Sequence, residues 1–247
     1  MLYQDAINIR TSRRSYLPEL VDFGCLNKLR ALIDEYNQKA GLNMQLVVNR
    51  NEAFKGLLKS FGIFSGVMNY IGMIANKEDE HSQEKLGYYG QLIVLQATEM
   101  RLGTCWVSGT FDRKSCPFEL SENEYIECVI TFGNVENERS AKEKLIRSVS
   151  HRKSKKAEDI YISDVPIPTW FQSGIRSVLK APSAMNRQPV TFTYKDGSVV
   201  ASVKDLSIAG MALDLGIAKL HFELGASGGE WEWGNEAKFA LNCATES

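Results

Sequence analysis

Two long helical stripes constrain this chain more than any other pattern in it. The first covers residues 83–101, where Leu86, Gly90, Ile93, Val94, Ala97 and Met100 recur at helical spacing before the run stops at Leu102-Gly103. The second covers residues 205–224 and stops at Leu224-Gly225-Ala226. Each stripe is preceded by a helix and a strand and followed by a further strand, so the chain reads as two halves with one order of elements. The reading sets a first half at residues 1–138, a basic linker at 139–165 and a second, shortened half at 166–247. In the linker, eight Lys or Arg between Arg139 and Lys156 stand against one acid, Glu143.

The shorter elements follow from local signals. Leu26, Leu29, Ile33 and Tyr36 predict a helix closed by Gly41. Residues 44–48, 69–75 and 125–133 read as strands, and 51–60 as a short helix. Residues 102–111, bracketed by Gly103 and Gly109, look too irregular for a strand and too apolar for an exposed loop, which makes them a candidate lining surface. In the second half, residues 170–180 form an amphipathic helix, and Asp196-Gly197 joins strands 190–194 and 199–203 in a hairpin. A terminal pair, 230–233 with 238–243, closes the chain.

Composition excludes several function classes. With 29 basic and 30 acidic residues, no whole-molecule field favours nucleic acid or an anionic membrane. The five cysteines are scattered without a Cys-x-x-Cys pair, which argues for reduced thiols in a cytosol and against a zinc site. No secretory leader and no apolar stretch of about 18 residues is present, so a cytoplasmic protein is expected.

Three segments carry candidate chemistry. Arg10 and Arg14, with Ser12 between them, read either as a phosphate fork or as a solvated helix end. The basic tract reads first as a solvated linker, with Lys153 and Lys155 available to add charge beside the same phosphate. Residues 180–194 pack small residues, two prolines, Asn186 and Gln188 into one turn, suited to close backbone approach to a planar ligand. Cys105 has no sequence-adjacent histidine and reads as a small buried hydrophobe, and His221 as a packing residue. His81, His151 and His221 lack the spacing of a metal site, and no Gly-x-Gly-x-x-Gly or Walker sequence occurs.

These segments are similar to motifs of one known family. Arg10-Thr-Ser-Arg-Arg-Ser-Tyr16 resembles the Arg-x-Ser-x-Arg/Lys-x-Phe/Tyr opening of the nitroreductase family of flavoproteins. Leu102-Gly-Thr-Cys-Trp-Val-Ser-Gly109 resembles its Leu-Gly-Thr-Cys-Trp-Ile-Gly-Gly loop, and Ala181-Pro-Ser-Ala-Met-Asn-Arg-Gln-Pro189 its Ala-Pro-Ser-Ser-x-Asn-x-Gln-Pro-Trp turn. Because that turn arrives late in this chain, the resemblance is to the tandem single-chain branch, a fused dimer.

The resemblance implies an α+β fold with a central, mostly antiparallel sheet flanked by helices. It implies a monomer acting as an internal pseudo-dimer, whose halves supply complementary parts of one FMN site. Arg10, Thr11 and Ser12 would hold the phosphate and ribityl end, supported by Lys153 and Lys155, with Arg14 toward N1 and O2 of the ring. Val107 would pack on the ring, Ser108 and the Gly109 N–H would lie near N5 and O4, and Pro182, Ser183, Ala184, Asn186 and Gln188 would come from the second half. Ala184 stands for the usual Ser, Val190 for Trp, and Ser108 for Gly or Glu. The implied activity is hydride transfer from NAD(P)H through flavin N5 to a nitroaromatic, quinone or similar acceptor, with no catalytic side chain. The competing expectation is a non-catalytic protein of this fold, either a flavin-binding sensor or a flavin-free interaction protein.

Overall fold

The computed structural model describes residues 3–55, 62–140, 143–145 and 154–241. The chain forms two compact units that no single cut separates. The amino-terminal unit comprises Ile9–Ser82 and Leu92–His151, and the carboxy-terminal unit gathers Met1–Asn8, Gln83–Gln91 and Arg152–Ser247.

Helix α1 (Gln4–Ile9) opens the chain and α2 (Phe23–Ala40) follows. Helix α2 starts where the Asp22 carboxylate accepts from the Gly24 and Cys25 N–H groups, a cap worth about 1 kcal/mol. It buries Leu29, Ile33 and Tyr36 and ends at Gly41, whose φ of 65° lets its N–H return to Asn37 O. Strands β1 (Asn43–Val47) and β2 (Asn69–Asn76) come next, then α3 (Ser82–Glu99), β3 (Gly103–Val107) and β4 (Glu124–Gly133). The four strands form an antiparallel sheet in the order β1-β2-β4-β3. Phe54, Phe64, Tyr70, Val107, Phe111 and Val129 centre its core.

In the carboxy-terminal unit, β5 (Tyr161–Ser163) precedes α4 (Thr169–Val178), β6 (Thr191–Lys195) and β7 (Ser198–Ser202). Helix α5 (Met211–Gly225), β8 (Glu230–Trp231) and β9 (Lys238–Ala240) complete it. The sheet order is β5-β6-β7-β9-β8, with only β5 and β6 parallel. Asp196 and Gly197, at φ 51° and 77°, make the hairpin turn that the sequence specifies.

Helix α5 is buried nearly all round, and glycine sets how closely it is approached. A Cβ on Gly216 would lie 1.9 Å from Glu84 O, and one on Gly87 2.1 Å from Leu213 O. Phe222 stacks on Phe192 at 4.9 Å and takes the space over Gly174. The ionisable residues that α5 carries into the core each have partners. Lys219 pairs with Glu84 and donates to Glu232 O and Gly234 O, while Gly234 N donates to Glu84. His221 bridges Gln91 and Ser177 O, as expected of a packing histidine.

Three expectations need correction. Residues 103–107 are a strand, because each has a partner on β4 from Gly133 back to Val129. Helix α5 starts at Met211, since Gly210 at φ 81° breaks the run that the 205–224 stripe predicted. The tract read as a linker contains structure: β5 pairs with β6, and Glu143 is 2% exposed. Residues 141–142 and 146–153 of that tract, residues 56–60 of the short helix expected at 51–60, and Cys243 lie outside the described residues, while 52–54 form a turn.

Candidate functional site

The arginine stretch is neither helix nor solvated end. After α1 the chain extends, and Ser12 bridges Thr104 on β3 while Ser15 bridges Ser65. Arg13 N donates to Thr104 O at 2.8 Å, and Ser65 N to Arg14 O at 2.9 Å. Backbone pairing therefore fixes which way each arginine points. Arg13 is buried, donating to Glu136 O, Glu138 O and the Glu143 carboxylate. That carboxylate also accepts from the backbone N–H groups of Arg14 (2.6 Å), Ser15 (3.2 Å) and Ser140 (2.9 Å). Burial opposes its ionisation, but the N–H groups of Arg14 and Ser140 and the Arg13 guanidinium prevail and hold its pKa below the usual range.

Arg10 and Arg14 have a different environment. Burial brings the pKa of the Arg10 guanidinium down to about 10, negative charge on Cys105 would oppose this, and Arg139 adds like-charge repulsion. Among the described residues, its Nε is buried without a hydrogen-bond partner. Cys105, on β3, is raised by burial despite Arg14, Arg10 and a Ser12 hydrogen bond, so it stays a thiol. An orphaned buried donor beside two further guanidiniums fits a bound phosphate, which would supply the missing acceptor and the opposite charge. Strand β3 then carries the chain from this cluster to Val107, which is 4% exposed, and to Ser108 and Gly109, which are exposed. A Cβ at Gly109 would meet nothing within 4 Å, so the loop tip faces open space.

The second set of candidates lies in the carboxy-terminal unit. Met185, Asn186 and Gln188 all have positive φ, of 53°, 52° and 46°. Their left-handed backbone is held by a closed set of bonds. Gln188 N donates to Ser183 Oγ, Asn186 N to Ser183 O, and Ala184 N to both oxygens of Asp214. The Gln188 amide is engaged at both ends: Nε2 donates to Leu179 O and Oε1 accepts from Lys155 N at 2.8 Å. Lys155 is thereby tied to the turn, whereas Lys153 lies outside the described residues. Arg10, Thr11, Ser12, Arg14, Val107, Ser108 and Gly109 thus belong to one unit, and Lys155, Pro182, Ser183, Ala184, Asn186 and Gln188 to the other.

A family model described as "Putative TM nitroreductase" matches residues 3–226, nearly the whole chain. The chain belongs to the nitroreductase family. Among solved structures, a "putative nitroreductase" from Thermotoga maritima is 21% identical, with a TM-score of 0.63 over 98% of this chain and 93% of that one. An FMN-dependent nitroreductase from Clostridium difficile R20291 is 20% identical, with a TM-score of 0.44 over 60% of this chain and 97% of that one. A nitroreductase with bound FMN from Desulfitobacterium hafniense is 16% identical, with a TM-score of 0.45 over 56% and 90%. No curated protein matches.

Within this nitroreductase-family chain, sequence reasoning missed the two acids that hold the candidate segments. Glu143 had a signal, being the lone acid in a basic tract. Asp214 had one too, as an acid set between Leu213 and Leu215 in an apolar run; it is 4% exposed, and burial raises its pKa to about 7 against the pull of Ala184 N–H and Arg187. Among the described residues, no group of His, Cys, Asp and Glu is placed to hold a metal, and no helix is long and apolar enough to cross a membrane.

Proposed function

We propose that this nitroreductase-family chain is an FMN-dependent oxidoreductase that uses NAD(P)H to reduce a nitroaromatic, quinone or similar small acceptor. The observation that carries the reading is the half-buried Arg10 beside Arg139, whose Nε is buried and, among the described residues, has no hydrogen-bond partner. When bound, FMN would supply the redox chemistry, taking hydride at N5 and passing it on.

The chain's own groups bind and orient. Arg10, Thr11 and Ser12 hold the phosphate end, and Arg14 adds positive charge toward N1 and O2, which favours a reduced, negatively charged ring. Val107, 4% exposed, would back the loop from the core, and Ser108 and the Gly109 N–H would offer polar contacts near N5 and O4. Pro182, Ser183, Ala184 and Asn186 give a turn for the ring edge. Gln188 acts as its brace and Lys155, joined to it, as a further cation. One FMN per chain is expected, as for an internal pseudo-dimer.

Titrating the purified protein with FMN and with riboflavin tests the phosphate assignment. FMN is expected to bind at one per chain and more tightly than riboflavin, and Arg10→Ala to remove that preference. Equal affinity for the two flavins in the wild type refutes the assignment. A protein that binds neither fits a non-catalytic member of the family.

A further inference from the structure

Arg113, which no motif singles out, grips the loop that leaves β3. Strand β4 runs beyond the end of β3, whose last residue, Val107, pairs with Val129. On its other edge β4 shifts register, Met73 pairing with Cys128 and Ile74 with Ile126, so Glu127 is an extra residue in a bulge. Arg113 takes the carbonyls exposed there, with Nε donating to Ile126 O at 3.3 Å and a terminal nitrogen to Glu127 O at 3.1 Å. The same nitrogen donates to Ser108 O at 2.7 Å.

The arginine is itself fixed. Its guanidinium carbon lies 4.8 Å from the centre of the Phe111 ring. Its turn is capped by Asp112, which accepts from Lys114 N at 3.1 Å and from Ser115 Oγ at 2.8 Å.

The Ser108–Gly109 peptide is planar and trans, so its C=O and N–H point in opposite directions. Drawing Ser108 O onto Arg113 therefore turns the Gly109 N–H the other way. A loop carbonyl facing the ligand in place of that N–H would repel the electron-rich edge that the donor is meant to bond. We infer that Arg113 is a positioning residue that aims the Gly109 N–H at the N5 and O4 edge of the bound flavin. The inference rests on the FMN reading above and adds to it a determinant of the flavin's redox potential. Arg113 touches no reacting atom; it sets which face of one peptide the ligand meets.

The test compares wild type, Arg113→Met and Arg113→Lys for thermal midpoint, FMN affinity, flavin midpoint potential and the rate at which NADH or NADPH reduces the flavin. Losing one aimed donor is expected to slow flavin reduction by about tenfold and to lower the potential. FMN affinity should change less, because the phosphate cluster is intact. Lys, which can reach one carbonyl but not three, is expected to fall between the two. If both folded variants bind FMN with the wild-type potential, the positioning role is wrong while the flavin reading stands. If the wild type binds no FMN, both fall together.

Discussion

Asp214 makes stability depend on pH in a direction opposite to that of most carboxylates. It is 4% exposed, and among the described residues both its oxygens face a single donor, Ala184 N, at 3.1 and 3.2 Å. The cavity beside it, about 10 Å³, has room for at most one water. Burial is the dominant influence and raises its pKa from 3.8 to about 7, with Ala184 N–H and Arg187 opposing. Between those two values the native state holds a proton that the unfolded chain has released, so unfolding free energy falls as pH rises. The rise in pKa corresponds to about 4 kcal/mol, fully present below the unfolded pKa and lost by about pH 7 to 8.

Asp214→Asn keeps an oxygen for Ala184 N and removes the titration. Urea unfolding of both proteins from pH 4 to 8, followed by tryptophan fluorescence at fixed ionic strength, gives the difference directly. Wild-type stability minus variant stability is expected to fall by about 4 kcal/mol across that range. Parallel curves would show that Asp214 ionises normally and that its burial has been misjudged.

Lys219→Met strands the Glu84 carboxylate in the core and is expected to cost about 3–5 kcal/mol, with Glu84→Gln added to it recovering much of the loss, by the same urea assay. Gly216→Ala must push a pair of helix backbones apart, because its Cβ would sit 1.9 Å from Glu84 O; a loss of about 3 kcal/mol or more is expected in thermal melts. Glu143→Gln removes the charge that the Arg14 and Ser15 N–H groups and Arg13 bond, so FMN affinity and stability at pH 7 should both fall. In the wild type, the Glu143 contribution is present above the ordinary carboxylate pKa and disappears as pH falls through its lowered value, which unfolding curves below pH 5 will show.

Much of the fold could be read from the sequence because its signals are local. Gly41 closes α2, Asp196-Gly197 turns the hairpin, and the stripe on α3 ends within two residues of its predicted stop. Strand β3 was not legible. Gly103 and Gly109 looked like breakers, yet Gly103 is required by the approach of Arg13 and Val135, whose side chains lie 3.0 and 2.3 Å from where its Cβ would be. The candidate binding segments were visible as motifs, whereas their supports were not. Glu143 is 129 positions from the Arg14 N–H it accepts, and Asp214 is 30 from Ala184. No periodicity encodes such pairings. Arg113 had no signal at all, since its partners are backbone carbonyls whose availability depends on a bulge in β4.

On the proposed reading, this chain binds a flavin and reduces it. An anaerobic absorbance spectrum of the purified protein with one equivalent of FMN, before and after adding NADH or NADPH, tests it most directly. A bound-flavin spectrum is expected that bleaches on addition of the nicotinamide and returns when a quinone is supplied. Flavin that passes through a desalting column apart from the protein, or that stays yellow with either nucleotide, would contradict it.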